Sequence, residues 1–236
     1  MGLLPKLNTA TYELELPSTG EKVKYRPFLV KEQKHLMLAM ESEKATELRD
    51  ALATLVSSCT FEKIDPYEVP MFDIEFMFLR FRGKSIGEKV KLNVLCPDDE
   101  KTRVEVEVNL EDVGVKLEAD HTNEIEITKK IKMIMEYPDL NDMVEMENED
   151  AAVSATFNMI KRCVHEIHDG ETVYPKVDMS DAELSEFLDN LTTGPFEKIQ
   201  NFFTTMPKII HVLKVTNPKT KKKGEVVIEG IESFFE

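Results

Sequence analysis

Basic residues are scarce in this chain: 30 Lys and Arg stand against 45 Asp and Glu in 236 residues, for a formal net charge of −15 and a sequence pI near 4.9. So acidic a surface repels phosphate, and phosphate contacts supply most non-specific nucleic-acid affinity. Binding of DNA, RNA or anionic lipid therefore needs a local basic patch. Cysteine is scarcer still. Cys59, Cys96 and Cys163 are scattered, odd in number and form no Cys-x-x-Cys pair. That pattern argues against a disulfide framework and predicts reduced, buried thiols. The longest unbroken apolar run, Leu36 to Met40, is far too short to span a bilayer, and Met1-Gly-Leu-Leu-Pro-Lys6 lacks the regions of a secretory signal. The expectation is a cytosolic protein whose Asn190-Leu-Thr192 sequon goes unread.

Phosphate-binding loops are missing too. No Gly-x-Gly-x-x-Gly occurs, and Gly83-Lys-Ser85 has Phe78 where the loop needs its first glycine, so a bulky aromatic stretch occupies the place of a backbone cradle. A helix end at Gly83 is the better reading. Leu16-Pro-Ser-Thr-Gly20 has the letters of a cell-wall sorting signal but lies far from the C-terminus, where turn chemistry accounts for it. No serine or cysteine sits in a Gly-x-Ser-x-Gly context, His35, His121 and His211 are isolated, and acidic residues are spread through every segment. Nothing selects a catalytic triad or carboxylate pair.

Present instead are 42% hydrophobic and 32% charged residues, the composition of a folded soluble globule. Tyr12, Leu14 and Leu16 alternate with polar residues, as do Val23 and Tyr25, with Pro17-Ser-Thr-Gly20 between them, which predicts a hairpin. From about Val30 to Cys59 there is no Gly or Pro, and Leu48, Leu52, Leu55 and Cys59 recur at helical spacing. One long or bent helix is expected, with its charged middle from Met40 to Asp50 as the place for a break. Residues 72–82 predict a helix begun after Pro70 and stopped at Gly83, with Phe72, Phe76 and Leu79 on one face and Ile74, Phe78 and Phe81 on another. A second hairpin is predicted from Val90–Cys96 and Val104–Val108 around Pro97-Asp-Asp-Glu-Lys101. Alternation from Ile125 to Tyr137 reads as a strand. Helical spacing then runs from Ala151 to His168, a capping box opens at Ser180-Asp-Ala-Glu183, and another helix lies between Pro195 and Pro207. Ile209–Val215 and Glu225–Glu229 form a last hairpin, followed by Gly230-Ile-Glu-Ser-Phe-Phe235 as an apolar tail. The class is α+β, with antiparallel hairpins among helices and no parallel βαβ sheet. The division is expected at Pro138, into 1–138 with two hairpins, a long helix and a Phe-rich helix, and 139–236, mainly helical and closed by a hairpin, or else as one single domain.

Two clusters carry possible chemistry. Cys163-Val-His165-Glu-Ile-His168-Asp169, read on a helix, brings His165 and His168 near one face with Asp169 beside them, the start of a metal site and of a metal-dependent enzyme. The bland alternative is a helix C-terminus whose histidines favour the dipole. Lys219-Thr-Lys-Lys-Lys223 is the one basic run, either a nucleic-acid or partner contact or a solvated hairpin tip. Beyond these, apolar side chains exceed what hairpin faces need. The helix 71–82, Met133 and Met135, Phe202-Phe203, Phe234-Phe235 and 12 methionines suggest some partner-facing surface, at Phe78 and Phe81 on the aromatic helix or at Phe234 and Phe235 in the tail. On that reading Phe76 is core.

The blocks Leu16-Pro-Ser-Thr-Gly20, Val23-Lys-Tyr-Arg-Pro-Phe28, Lys31-Glu-Gln-Lys-His-Leu-Met-Leu-Ala39, Phe72-Asp-Ile-Glu-Phe76, Lys84-Ser-Ile-Gly87 and Gly230-Ile-Glu-Ser-Phe-Phe235 occur in order along the chain. Together they resemble the baseplate hub assembly proteins of T4-like contractile-tailed phages. The segment 100–190 carries no matching block. The resemblance implies a non-enzymatic protein without cofactors, binding baseplate hub or tape-measure proteins as an assembly chaperone or a hub subunit. It implies action in the host cytoplasm during assembly, or a place in the virion tail, with no nucleic acid or membrane as partner.

Overall fold

A computed structural model describes residues 8–142, 152–231 and 234. The chain divides into two units: residues 1–116 with 208–236, and residues 117–207. This is not the division expected at Pro138, which falls inside the second unit. The first unit instead takes back the C-terminal hairpin, because that hairpin pairs with a strand contributed from before residue 117.

In unit 1, β1 (Tyr12–Glu15) and β2 (Lys22–Tyr25) form the predicted antiparallel hairpin, with Leu14 opposite Val23. Its turn is fastened to the next layer: the Ser18 N–H donates to Asp73 Oδ1 at 3.1 Å and the Ser18 hydroxyl donates to Asp73 Oδ2. The helical stretch 30–59 is two helices, α1 (Val30–Glu41) and α2 (Ala45–Cys59), packed on each other. The break lies at residues 42–44, inside the charged segment, where Glu43 takes a positive φ of 55°. On α2 Leu52, Leu55, Val56 and Cys59 are buried, extending the predicted stripe.

The aromatic helix, α3 (Met71–Ser85), starts after Pro70 as expected but runs through Gly83. A Cβ at Gly83 would meet Glu88 only at ordinary contact distance, so that glycine is not a required stop. The chain turns at Gly87, whose φ of +146° suits glycine. Both stripes of α3 are covered: Phe72, Ile74, Met77, Phe78, Leu79 and Phe81 are all buried, between α2 on one side and the C-terminal sheet on the other. Tyr25 packs its ring 5.2 Å from that of Phe81. Phe76 is the half-buried member, with the Arg80 guanidinium 4.5 Å above its ring. Phe78 and Phe81, expected at the surface, are thus more deeply buried than Phe76, expected in the core, because sheet and helices of one unit enclose α3 on two sides.

β3 (Lys89–Leu95) and β4 (Arg103–Asn109) form the predicted second hairpin, with Leu92 opposite Val106. β5 (Gly114–Lys116), β10 (Lys208–Thr216) and β11 (Lys223–Glu229) make an antiparallel sheet in the order β11-β10-β5. The two hairpin turns are clasped: Asn217 Nδ2 donates to Asp98 at 2.8 Å and to Asp99 at 3.0 Å.

Unit 2 is a four-stranded antiparallel sheet, β6 (Glu124–Glu126), β7 (Ile131–Met135), β8 (Val164–Asp169) and β9 (Thr172–Pro175), in that order, with α4 (Ala152–Cys163), α5 (Asp181–Asp189) and α6 (Thr193–Thr205). Ile125, Met133, Met135, Ile160, Leu184, Leu188 and Phe202 share its core. The alternating run 125–137 is thus a hairpin, not one strand, turned at Thr128, whose hydroxyl accepts from the Ile131 N–H at 3.0 Å. Ser180 and Glu183 form the predicted capping box. The helix expected to reach His168 ends at Cys163. Among the described strands every pairing is antiparallel, and the fold is α+β.

Candidate functional site

Four of the large apolar residues that unit 1 leaves in water lie close together on α1. This helix buries only Glu32, Leu36 and Ala39, while Val30, Met37, Leu38 and Met40 are 80, 54, 51 and 41% exposed. Such a helix has an inner face too narrow to hold it by burial alone, and its N-terminus is anchored by charge instead. The Glu32 carboxylate accepts from the Leu29 N–H at 2.7 Å and from Arg26 Nη2 at 3.0 Å, the second half of a capping box with an ion pair added. Burial alone would raise the Glu32 pKa, but Arg26, the Leu29 N–H and Lys31 outweigh it and hold the carboxyl below its usual range. Arg26 is in turn fixed by donating to the Pro27 carbonyl at 3.0 Å.

Held in this way, α1 forms one wall of a groove of about 320 Å³ whose other wall is the end of α3. Leu36, Met37 and Met40 line it from α1, Phe78 and Arg82 from α3, the exposed Ile86 from just past the end of α3, and Phe28 from the segment before α1. Methionine suits such a wall, since its unbranched chain repacks at little cost. The cations of α3 differ in what they meet. Arg80 donates to the carbonyls of Leu110 and Val113, and Lys84 lies 3.0 Å from Glu111. Arg82 has no hydrogen bond or ion pair among the described residues, and burial lowers its pKa without a compensating neighbour.

Of the four aromatic residues expected to face a partner, Phe78 is 1% exposed and sits in the groove floor, while Phe81 and Phe234 are fully buried in unit 1. Phe235 lies outside the described residues. The residues that reasoning from sequence passed over are Val30, Met37, Met40, Arg82 and Ile86. Their signal was the spacing of Met37 and Met40 on a helix, together with Arg82 one turn beyond Phe78.

The histidine cluster does not converge as a helix would make it. His165 and His168 are on β8, where three residues span about 10 Å. His165 Nδ1 lies 3.3 Å from Glu136, and His168 Nε2 lies 2.7 Å from Glu166. Among the described residues no group of three or more His, Cys, Asp or Glu side chains is placed to hold a metal ion. The premise of the metal-enzyme alternative, one helical face shared by His165, His168 and Asp169, is overturned. Lys219 to Lys222 form the tip between β10 and β11, and Lys223 opens β11; Asn217 Oδ1 accepts from the Lys219 N–H at 2.8 Å. All three thiols are buried and raised in pKa by that burial, Cys59 to about 12, which leaves them protonated and inert. Among the described residues no helix is long and apolar enough to cross a membrane.

A family model described as T4 bacteriophage base plate protein matches residues 9–236. The chain belongs to this family. No curated protein and no solved structure matches it. The match runs through both units, including the segment 100–190 in which the ordered sequence blocks are silent.

Proposed function

We propose that this base plate protein is a non-enzymatic assembly factor of the baseplate hub, acting by protein–protein contacts in the host cytoplasm as a chaperone or as a hub subunit. The observation that carries the reading is membership of the base plate family over nearly the whole chain. The ordered blocks shared with hub assembly proteins favour the hub within the base plate, and the exposed apolar side chains of α1 support binding as the mode of action. Its partners on this reading are hub or tape-measure proteins. Affinity capture of the tagged full chain from infected cells tests it: recovery of hub or tape-measure proteins is expected, and recovery of no tail protein refutes it. Mass spectrometry of purified virions separates the two modes, since stoichiometric presence rejects the pure chaperone and absence rejects the subunit.

A further inference from the structure

Arg82 has no hydrogen bond or ion pair among the described residues, and the groove beside it leaves apolar side chains exposed. In a chain with 45 acidic residues, a half-buried guanidinium that meets no carboxylate among the described residues stands out, and it lies in the wall of the apolar groove that α1 and α3 form together. A buried cation is costly unless it is paired. Exposed Met37, Met40 and Ile86 are costly for the same reason in the opposite sense, since their apolar area stays in water. One occupant satisfies both. We infer that the groove between α1 and α3 receives a segment of another base-plate subunit that places two large apolar side chains over Phe78 and Leu36 and a carboxylate on Arg82.

The volume sets the size. An apolar cavity of about 150 Å³ lodges a benzene, so the groove's 320 Å³ holds about two large side chains and not a whole helix. The charge sets the chemistry, because Arg presents a planar fork that pairs with a carboxylate through two parallel hydrogen bonds. Glu41, which also lines the groove, makes no ion pair with Arg82, so among the described residues no carboxylate meets this guanidinium. A second copy of this chain is a poor occupant, since each copy brings a formal charge of −15. Phe78 keeps a part in binding on this view, as floor beneath the apolar side chains and not as a surface residue.

The inference rests on the base-plate reading, and the test separates the two. A photo-reactive benzoylphenylalanine replaces Met37 in the tagged full chain produced during infection; in a control chain it replaces Val177 instead, which is 91% exposed in unit 2. The expected result is an adduct at Met37 with a segment of another base-plate subunit that contains Asp or Glu within a few residues of the cross-link. A synthetic peptide of that segment should bind the unlabelled full chain. Its amide twin, with that Asp or Glu changed to Asn or Gln, should bind at least about tenfold more weakly, as should the original peptide to Arg82→Gln. Should Arg82→Gln fail to fold, Met40→Asp tests the same groove from an exposed position, where it should block the adduct and leave the melting temperature unchanged. An adduct with a second copy, or a peptide indifferent to both the amide change and Arg82→Gln, overturns the inference. Capture of base-plate subunits with adducts at Val177 and none at Met37 overturns the groove alone. Capture of no base-plate subunit at all removes the functional reading and the inference with it.

Discussion

Glu32→Gln probes the device that places α1. Both carboxylate oxygens are in use, one accepting from Arg26 and the other from the Leu29 N–H, and the Glu32 side chain is 4% exposed against 12% for Arg26. An amide has one acceptor oxygen, so the substitution turns an N–H donor toward either Arg26 or Leu29 and leaves the guanidinium without a counter-charge. Breaking a buried pair in this way costs about 3–5 kcal/mol. Arg26 keeps its bond to the Pro27 carbonyl and some contact with water, which sets the expectation at the lower end, about 3 kcal/mol. At about 2–4 °C per kcal/mol for a domain of this size, the transition of unit 1 in scanning calorimetry should fall by roughly 6–12 °C. The double variant Arg26→Leu/Glu32→Gln removes the stranded cation, so its cost should fall short of the sum of the single costs by at least about 1 kcal/mol. The pH dependence has a definite sign. Because the folded carboxyl lies below its unfolded value of about 4.3, its stabilisation is complete above that pH and lost as pH falls through the folded pKa. The gap between wild type and Glu32→Gln should therefore close in acid. Additive costs in the cycle, or a gap unchanged at low pH, would refute the assignment of α1's anchoring to this pair.

Two further outcomes follow from contacts elsewhere. Gly224→Ala should lower stability by about 1–3 kcal/mol in urea unfolding, because its Cβ would lie 2.5 Å from Pro97 Cγ and would force apart the hairpin turns that Asn217 clasps; strand propensity alone favours alanine there, so a stabilised variant would contradict the contact. His121 bonds Thr205 and Tyr137 through its two ring nitrogens, both at 2.9 Å, and burial lowers its pKa. Unit 2 should thus lose stability as pH falls from about 6.5 through the folded value, and His121→Gln should flatten the slope of melting temperature between about pH 7 and 5.

Where local chemistry set the outcome, residue patterns were legible. Alternation around turn residues found the hairpins at Tyr12–Tyr25, Lys89–Asn109 and Lys208–Glu229, Pro70 marked the start of α3, and the Ser180 and Glu183 box marked α5. The break between α1 and α2 has no glycine or proline, only Glu43 in a left-handed conformation, and so could be placed no better than within a charged stretch. The end of α4 was hidden because Val164 and Ile167 continue its apolar spacing of three and four. Both are buried in strand β8 instead, where a bulge against Ile134 and Met135 shifts the register and lets residues three apart share the covered side. The extended backbone of the same strand, and not the bulge, holds His165 and His168 apart. The groove was illegible for another reason: its walls come from 28–41 and 78–86, and no pattern within either segment states that they meet.

The electrostatics of this protein act on two scales, and the difference bears on how it chooses partners. At long range the charge of −15 repels acidic chains and other copies, slowing encounters that have no compensating basic surface. Within the groove, Arg82 is partly withdrawn from water, so its field is strong over a few ångströms and weak beyond. A partner gains from that cation only after its apolar side chains have displaced water over Leu36 and Phe78 and brought a carboxylate into register. Attraction of this kind adds little to the rate of association and much to the cost of a misplaced or charge-neutral segment, because the wrong occupant buries the guanidinium further without pairing it. On the proposed reading, an acidic protein with such a groove avoids indiscriminate hydrophobic association: its surface disfavours most acidic strangers, and its groove penalises apolar ones that lack the single complementary charge. The groove depends in turn on the pose of α1, whose inner face is thin and whose N-terminus hangs on Arg26 and Glu32, so the buried pair at one end of the helix sets the register of the wall that a partner meets at the other.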